Sequence, residues 1–152
     1  MSELVRGSSV PLFDRLASSE AQGGVGAFLL LPEHLEASIA RELSRLFNTR
    51  SRLMPSEYAN STGTVIDYGI PDFSALSPRH ADDRELLESS LKQAIVHYEP
   101  RLHNVAVKVA AVPDRGDKAV VTVSGDVLIG LKPRRVSFEL GLDPADNPTP
   151  GA

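Results

Sequence analysis

His97-Tyr98-Glu99-Pro100-Arg101-Leu102-His103 is the stretch on which the fold turns. Upstream of it apolar residues recur every three or four positions; downstream they recur every second one. A proline after Glu99 disfavours the α region for that residue, so a helix is expected to end near Tyr98. Glu99 then sits at the negative end of the helix dipole, where a carboxylate needs a partner. Arg101 is the obvious one, and its guanidinium is also in reach of the last unpaired carbonyls. A charge pair on a proline corner is either a structural latch or a docking point.

Working back from the corner, Leu86, Leu87, Leu91, Ala94, Ile95 and Tyr98 form the expected buried stripe of one helix. Asp82 is expected to open it, with Glu85 three residues later at capping-box spacing. Further upstream, Leu35, Ile39, Leu43, Leu46 and Phe47 share one face of an earlier helix beginning at Pro32, a tolerated first-turn position. Asn48 and Thr49 are its stop signals. Between the helices, residues 49–81 read as a long loop broken by prolines and glycines. A connection of that length is either functional or docked on the core. Val65, Ile66, Tyr68, Ile70 and Phe73 are its expected anchors.

Downstream, Val105, Val107 and Val109 alternate with Ala106, Lys108 and Ala110. Residues 113–117 form a turn. Val121, Val123, Val127, Ile129 and Leu131 are expected on the next inward face, with Gly125 at a bulge. Lys132-Pro133-Arg134 reads as a second turn, followed by Val136, Phe138, Leu140 and Leu142 on a third strand. Short turns between consecutive strands predict an antiparallel meander. The expected fold is α+β: two main helices packed on a three-stranded antiparallel sheet, in two layers. Residues 1–32 read as an N-terminal arm with a flexible loop at Gly23-Gly24-Val25-Gly26. Residues 33–142 read as one domain and 143–152 as a disordered tail.

The 152 residues carry a net charge of −4, which argues against broad binding to nucleic acid. No cysteine is present, which excludes disulfides, thiolate zinc sites and thiol nucleophiles. The N-terminus shows no signal-peptide pattern, and no apolar run approaches the ~20 residues of a membrane span. His97 and His103 lack the further ligands a metal site needs, so neither metal nor cofactor is expected. Glu99, Asp67 and Asp72 are the candidates for paired hydrolytic carboxylates, but Arg101 stabilises the ionised form of Glu99 and makes it a poor general acid. The glycines at 23–26 lack a following lysine, so they do not form a phosphate-binding loop. Arg115-Gly116-Asp117 is accounted for by turn chemistry. Lys132, Arg134 and Arg135 form a basic cluster that is either solvated or meets an acidic partner. The apolar knot of Leu12, Phe13 and Leu16 fits an arm packed on the domain or a peptide docked on a partner. Exposed sheet edges offer a further route to partners by strand addition.

Three blocks in order carry a resemblance: Leu46-Phe47-Asn48-Thr49-Arg50, Val65-Ile66-Asp67-Tyr68-Gly69-Ile70-Pro71-Asp72-Phe73, and Tyr98-Glu99-Pro100-Arg101-Leu102. With Val10-Pro11-Leu12-Phe13-Asp14-Arg15-Leu16, they resemble the TssE family of type VI secretion baseplate subunits, related to the lysozyme-like wedge proteins of contractile phage tails. The resemblance spans about residues 10–142. It implies an α+β fold without catalysis, in a cytoplasmic baseplate at the inner face of the membrane. It implies contacts with the wedge subunits TssF and TssG, with TssK as a further candidate, and with the sheath proteins TssB and TssC, whose first ring the strands would template. It implies partner-binding roles for Glu99, Pro100 and Arg101, and for Leu12, Phe13, Arg15 and Leu16 of the arm. Asn48, Thr49 and Arg50, with Tyr68, Gly69, Pro71 and Asp72, map onto the remaining motif positions. The alternatives are a peptidoglycan hydrolase and the baseplate of another contractile injection particle. On the assembly reading, Arg101→Ala is expected to lose assembly while the domain stays folded.

Overall fold

The computed structural model describes residues 8–9, 29–30, 32–116, 118–129 and 131–143. Leu12, Phe13, Arg15 and Leu16 of the expected arm, the glycines at 23–26 and the tail beyond Asp143 lie outside the described residues. Two short strands, β1 (Ser8–Ser9) and β2 (Leu29–Leu30), pair antiparallel. The main chain then runs α1 (Pro32–Phe47), α2 (Pro55–Tyr58), a 3-10 turn (Val65–Asp67), α3 (Ala81–Tyr98), β3 (His103–Ala111), β4 (Ala119–Ile129) and β5 (Lys132–Leu142). The sheet order is β3-β4-β5, an antiparallel meander, with α3 against β3 and α1 against β5. This is the expected α+β arrangement.

The periodicities translate directly into burial. Leu35, Ile39, Leu43, Leu46 and Phe47 of α1 and Leu87, Leu91, Ala94 and Ile95 of α3 are buried. So are Val105, Val107 and Val109 of β3, and Val121, Val123 and Val127 of β4. The residues between them on β3 are exposed, so one sheet face meets the helices and the other meets solvent. Each fully buried aliphatic side chain contributes roughly 1.5–3 kcal/mol, and this shared layer holds the elements together.

Several expectations change. Val65 and Ile66 are not anchors: they are 91% and 72% exposed, because the 3-10 turn carrying them is held by polar contacts at its ends. Leu86 is exposed at the margin of the α3 stripe, and Leu131 is exposed in the β4–β5 turn. The capping box at Asp82 and Glu85 does not form, since α3 starts a residue earlier, after His80, with no side-chain cap. Asp83 instead accepts a hydrogen bond from the Ser77 amide at 3.0 Å, clamping the preceding loop. Gly125 pairs with Val136 in continuous register and is no bulge; the irregularity lies in β3, between His103 and Ala106. Glycine is needed at 125 because a Cβ there would lie 2.7 Å from Leu102 Cγ.

Lys132-Pro133-Arg134 belongs to β5 rather than to a turn, with Ile129 opposite Lys132. The Val109 N–H donates to Glu88 Oε1 at 2.9 Å, so it points away from β4. Antiparallel alternation then turns the N–H groups of Arg135, Ser137 and Glu139 outward on β5. Pro133 shares that outward parity on an edge strand, so its missing N–H costs the ladder nothing.

Candidate functional site

Glu99 is the C-cap of α3, and its amide still donates to Ile95. Pro100 ends the helix and is exposed, and Leu102 closes the turn by donating to the Glu99 carbonyl at 3.1 Å. This geometry folds Arg101 back on Glu99. Arg101 Nε reaches Glu99 Oε1 and its NH2 reaches Oε2, both at 2.6 Å, a two-pronged charge-assisted pair. The pair is buried: the Glu99 side chain is 3% exposed and that of Arg101 is 9%. The remaining guanidinium nitrogen donates to the buried Ser38 hydroxyl of α1 at 3.0 Å. Leu102 then inserts against Gly125. One tetrapeptide therefore joins α3, α1 and the sheet.

The Asn48-Thr49-Arg50 block finishes α1. The last four carbonyls of a helix lack intrahelical partners. Here the Asn48 amide donates to Ser44 O, the Thr49 hydroxyl to Arg45 O, the Thr49 amide to Leu46 O, and the Arg50 guanidinium to Phe47 O. The same block forms a parallel bridge with the second: Ser51 N donates to Ile70 O at 2.8 Å and Ile70 N to Thr49 O at 2.9 Å. Gly69 makes this approach possible, with φ at +121° and a would-be Cβ only 2.6 Å from Thr49 O. The buried Tyr58 donates its phenolic hydrogen to Gly69 O at 2.8 Å. Burial pushes the Tyr58 phenol well above its usual range.

The second block also reaches the corner. The rings of Tyr68 and Tyr98 meet edge to face at 5.1 Å. Burial raises the Tyr68 phenol, and the nearby carboxylates of Glu42 and Glu99 push the same way. Thus the three blocks converge around α1. Asp72 bonds Ser74 instead of joining them, at 3.0 Å to its amide.

The carboxylates considered for hydrolysis are each bonded locally: Glu99 to Arg101, Asp67 to Thr64, and Asp72 to Ser74. His97 and His103 are exposed. Among the described residues, no three metal-ligating side chains gather, and no helix is long and apolar enough to cross a membrane. Every buried side-chain nitrogen and oxygen among them has a partner.

The profile of the family described as Baseplate wedge protein gp25 matches residues 33–129, which includes all three blocks. The chain belongs to the baseplate wedge protein gp25 family. It is a baseplate component of a phage-tail-like system. Its fold is similar to a chain of the baseplate complex from the type VI secretion system, at 20% identity and a TM-score of 0.52, covering 73% of this chain and 96% of that one. A candidate tail lysozyme from Geobacter sulfurreducens is also similar, at 16% identity and a TM-score of 0.48, covering 77% of this chain and 97% of that one. No curated protein matches the sequence.

Three residues that make long-range contacts in this wedge protein are not singled out by the sequence reading. Ser38 is a polar residue on the apolar face of α1, and that mismatch was its signal. Tyr58 sits on α2, whose start is marked by Pro55 at the first helical position and by Glu57 closing back on the Met54 amide. Glu88 caps the β3 edge from α3, a contact no local pattern announces.

Proposed function

We propose that the protein is a non-enzymatic, TssE-type subunit of a type VI secretion baseplate. In this reading it joins the wedge subunits TssF and TssG, with TssK as a further contact, on the cytoplasmic side of the inner membrane. It templates the first ring of the TssB–TssC sheath by sharing a sheet edge. The observation that carries the reading is the combination of the family match with a closed polar corner. Both oxygens of the Glu99 carboxylate are taken up by 2.6 Å bonds from one buried guanidinium, leaving neither turned toward a substrate, which disfavours the hydrolase alternative. Glu99 and Arg101 then serve partners indirectly, by fixing the exposed Pro100 and the layer junction around it.

The shared edge is β5. The β3 edge is partly occupied by Glu88, which takes the Val109 amide and pairs with Lys108 at 3.5 Å. On β5 the outward amides of Arg135, Ser137 and Glu139 have no backbone partner among the described residues. Ser137→Pro deletes one outward donor at the parity that already tolerates Pro133. Fluorescence microscopy of labelled TssB in cells carrying this variant should show loss of sheaths, with normal sheaths for Ser137→Ala. Normal sheath counts for a folded Ser137→Pro protein would refute edge sharing at β5.

A further inference from the structure

At the opposite end of the sheet from the corner, a cleft of about 480 Å³ opens between the end of α1, the β3–β4 turn and the end of β5. Its floor is apolar, with Phe47, Val112 and Leu142. Among the described lining residues, Arg50, Arg115 and Lys118 stand against one carboxylate, that of Asp143. That carboxylate is held by Lys118 at 2.6 Å. The side chain of Arg115 makes no hydrogen bond or ion pair among the described residues. Arg50 spends one nitrogen on the Phe47 carbonyl and has no carboxylate partner among them.

A helix C-terminus would ordinarily repel an anion. Here the four terminal carbonyls of α1 are already taken by the Asn48-Thr49-Arg50 block, so that end of the dipole is capped. This excess of positive charge among the described lining residues stands out in a chain of net charge −4. Such a cleft concentrates a negatively charged ligand locally, although the molecule as a whole does not. Gly141, at the end of β5, faces open space and lines the same cleft, so an extended chain following the β5 edge runs into it.

We propose that this cleft docks an acidic, extended segment of a partner protein, with its carboxylates on Arg115 and Arg50 and an apolar side chain on the Phe47–Leu142 floor. This rests on the assembly reading, but the test below reads the cleft alone, without any baseplate, whereas the Ser137→Pro experiment reads the edge. The probe is a fluorescein-labelled peptide of alternating leucine and glutamate, titrated with the full chain and followed by anisotropy at low salt. Saturable binding is expected, weakened about five- to tenfold by Arg115→Ala at an unchanged thermal midpoint. The same peptide with glutamine for glutamate should bind at least about tenfold more weakly. Equal binding of the glutamine peptide, or an unchanged affinity for Arg115→Ala, would overturn the proposal. So would binding to phosphatidylglycerol vesicles without binding to the acidic peptide.

Discussion

The two ends of the sheet hold arginines in opposite circumstances. At the corner, Arg101 is buried and its three guanidinium nitrogens are engaged by Glu99 and Ser38. At the cleft, Arg115 is exposed and its side chain is bonded to nothing among the described residues. The difference separates residues that build the scaffold from residues with bonding capacity left for a partner. The corner carries the dense motif, yet its chemistry is directed inward. The cleft takes Asn48 and Arg50 from one motif block and Arg115 from a turn tripeptide, and the exposed Arg115 side chain faces outward.

The sharpest way to break this contrast is to cut the corner. Arg101→Ala leaves the Glu99 carboxylate buried and uncompensated, which costs about 3–5 kcal/mol. Urea unfolding of the purified protein should show that loss as a lowered midpoint. Next in size is Gly69→Ala. A Cβ there meets the Thr49 carbonyl at 2.6 Å, on backbone that cannot move without breaking the bridge to Ile70. A loss of about 2–4 kcal/mol is expected, read from the same urea midpoints.

Tyr58→Phe should cost about 1 kcal/mol near neutral pH by leaving Gly69 O without its donor. It also has a pH signature. The folded protein retains the Tyr58 proton that the unfolded chain releases above about pH 10. This stabilisation is intact below that value and is lost as pH rises through the folded-state value. Urea midpoints at about pH 9 and about pH 11 should therefore fall less steeply for Tyr58→Phe than for the natural sequence. Tyr68 and Tyr98 are raised by burial as well, so part of the slope should remain. The smallest effect on stability belongs to the cleft: Arg115→Ala should shift the urea midpoint by no more than about 0.5 kcal/mol.

The sequence made the layers legible because burial follows period. The spacing of Leu35, Ile39, Leu43, Leu46 and Phe47, and of Val105, Val107 and Val109, is enough to place them in the core. Direction was legible only inside regular elements. A loop has no period to say which way a side chain points, so nothing in the sequence distinguishes the exposed Val65 and Ile66 from buried anchors. A strand glycine such as Gly125 fits either a bulge or a close approach, and only its three-dimensional neighbour, Leu102, selects close packing. The Glu99–Arg101 pairing was foreseeable from a separation of two residues and a proline. Its anchor on Ser38, 63 residues away, was not. Nor was the cleft, which is assembled from α1, a turn and β5.

The central claim is that the Glu99-Pro100-Arg101 corner is a latch built for the fold. A double-mutant cycle in urea, with Glu99→Ala, Arg101→Ala and the two combined on the isolated chain, tests it most directly. A coupling energy of at least about 1.5 kcal/mol is predicted, with the double variant less damaged than the sum of the single ones. Additive effects of a few tenths of a kcal/mol would contradict the account and return the corner to a docking role.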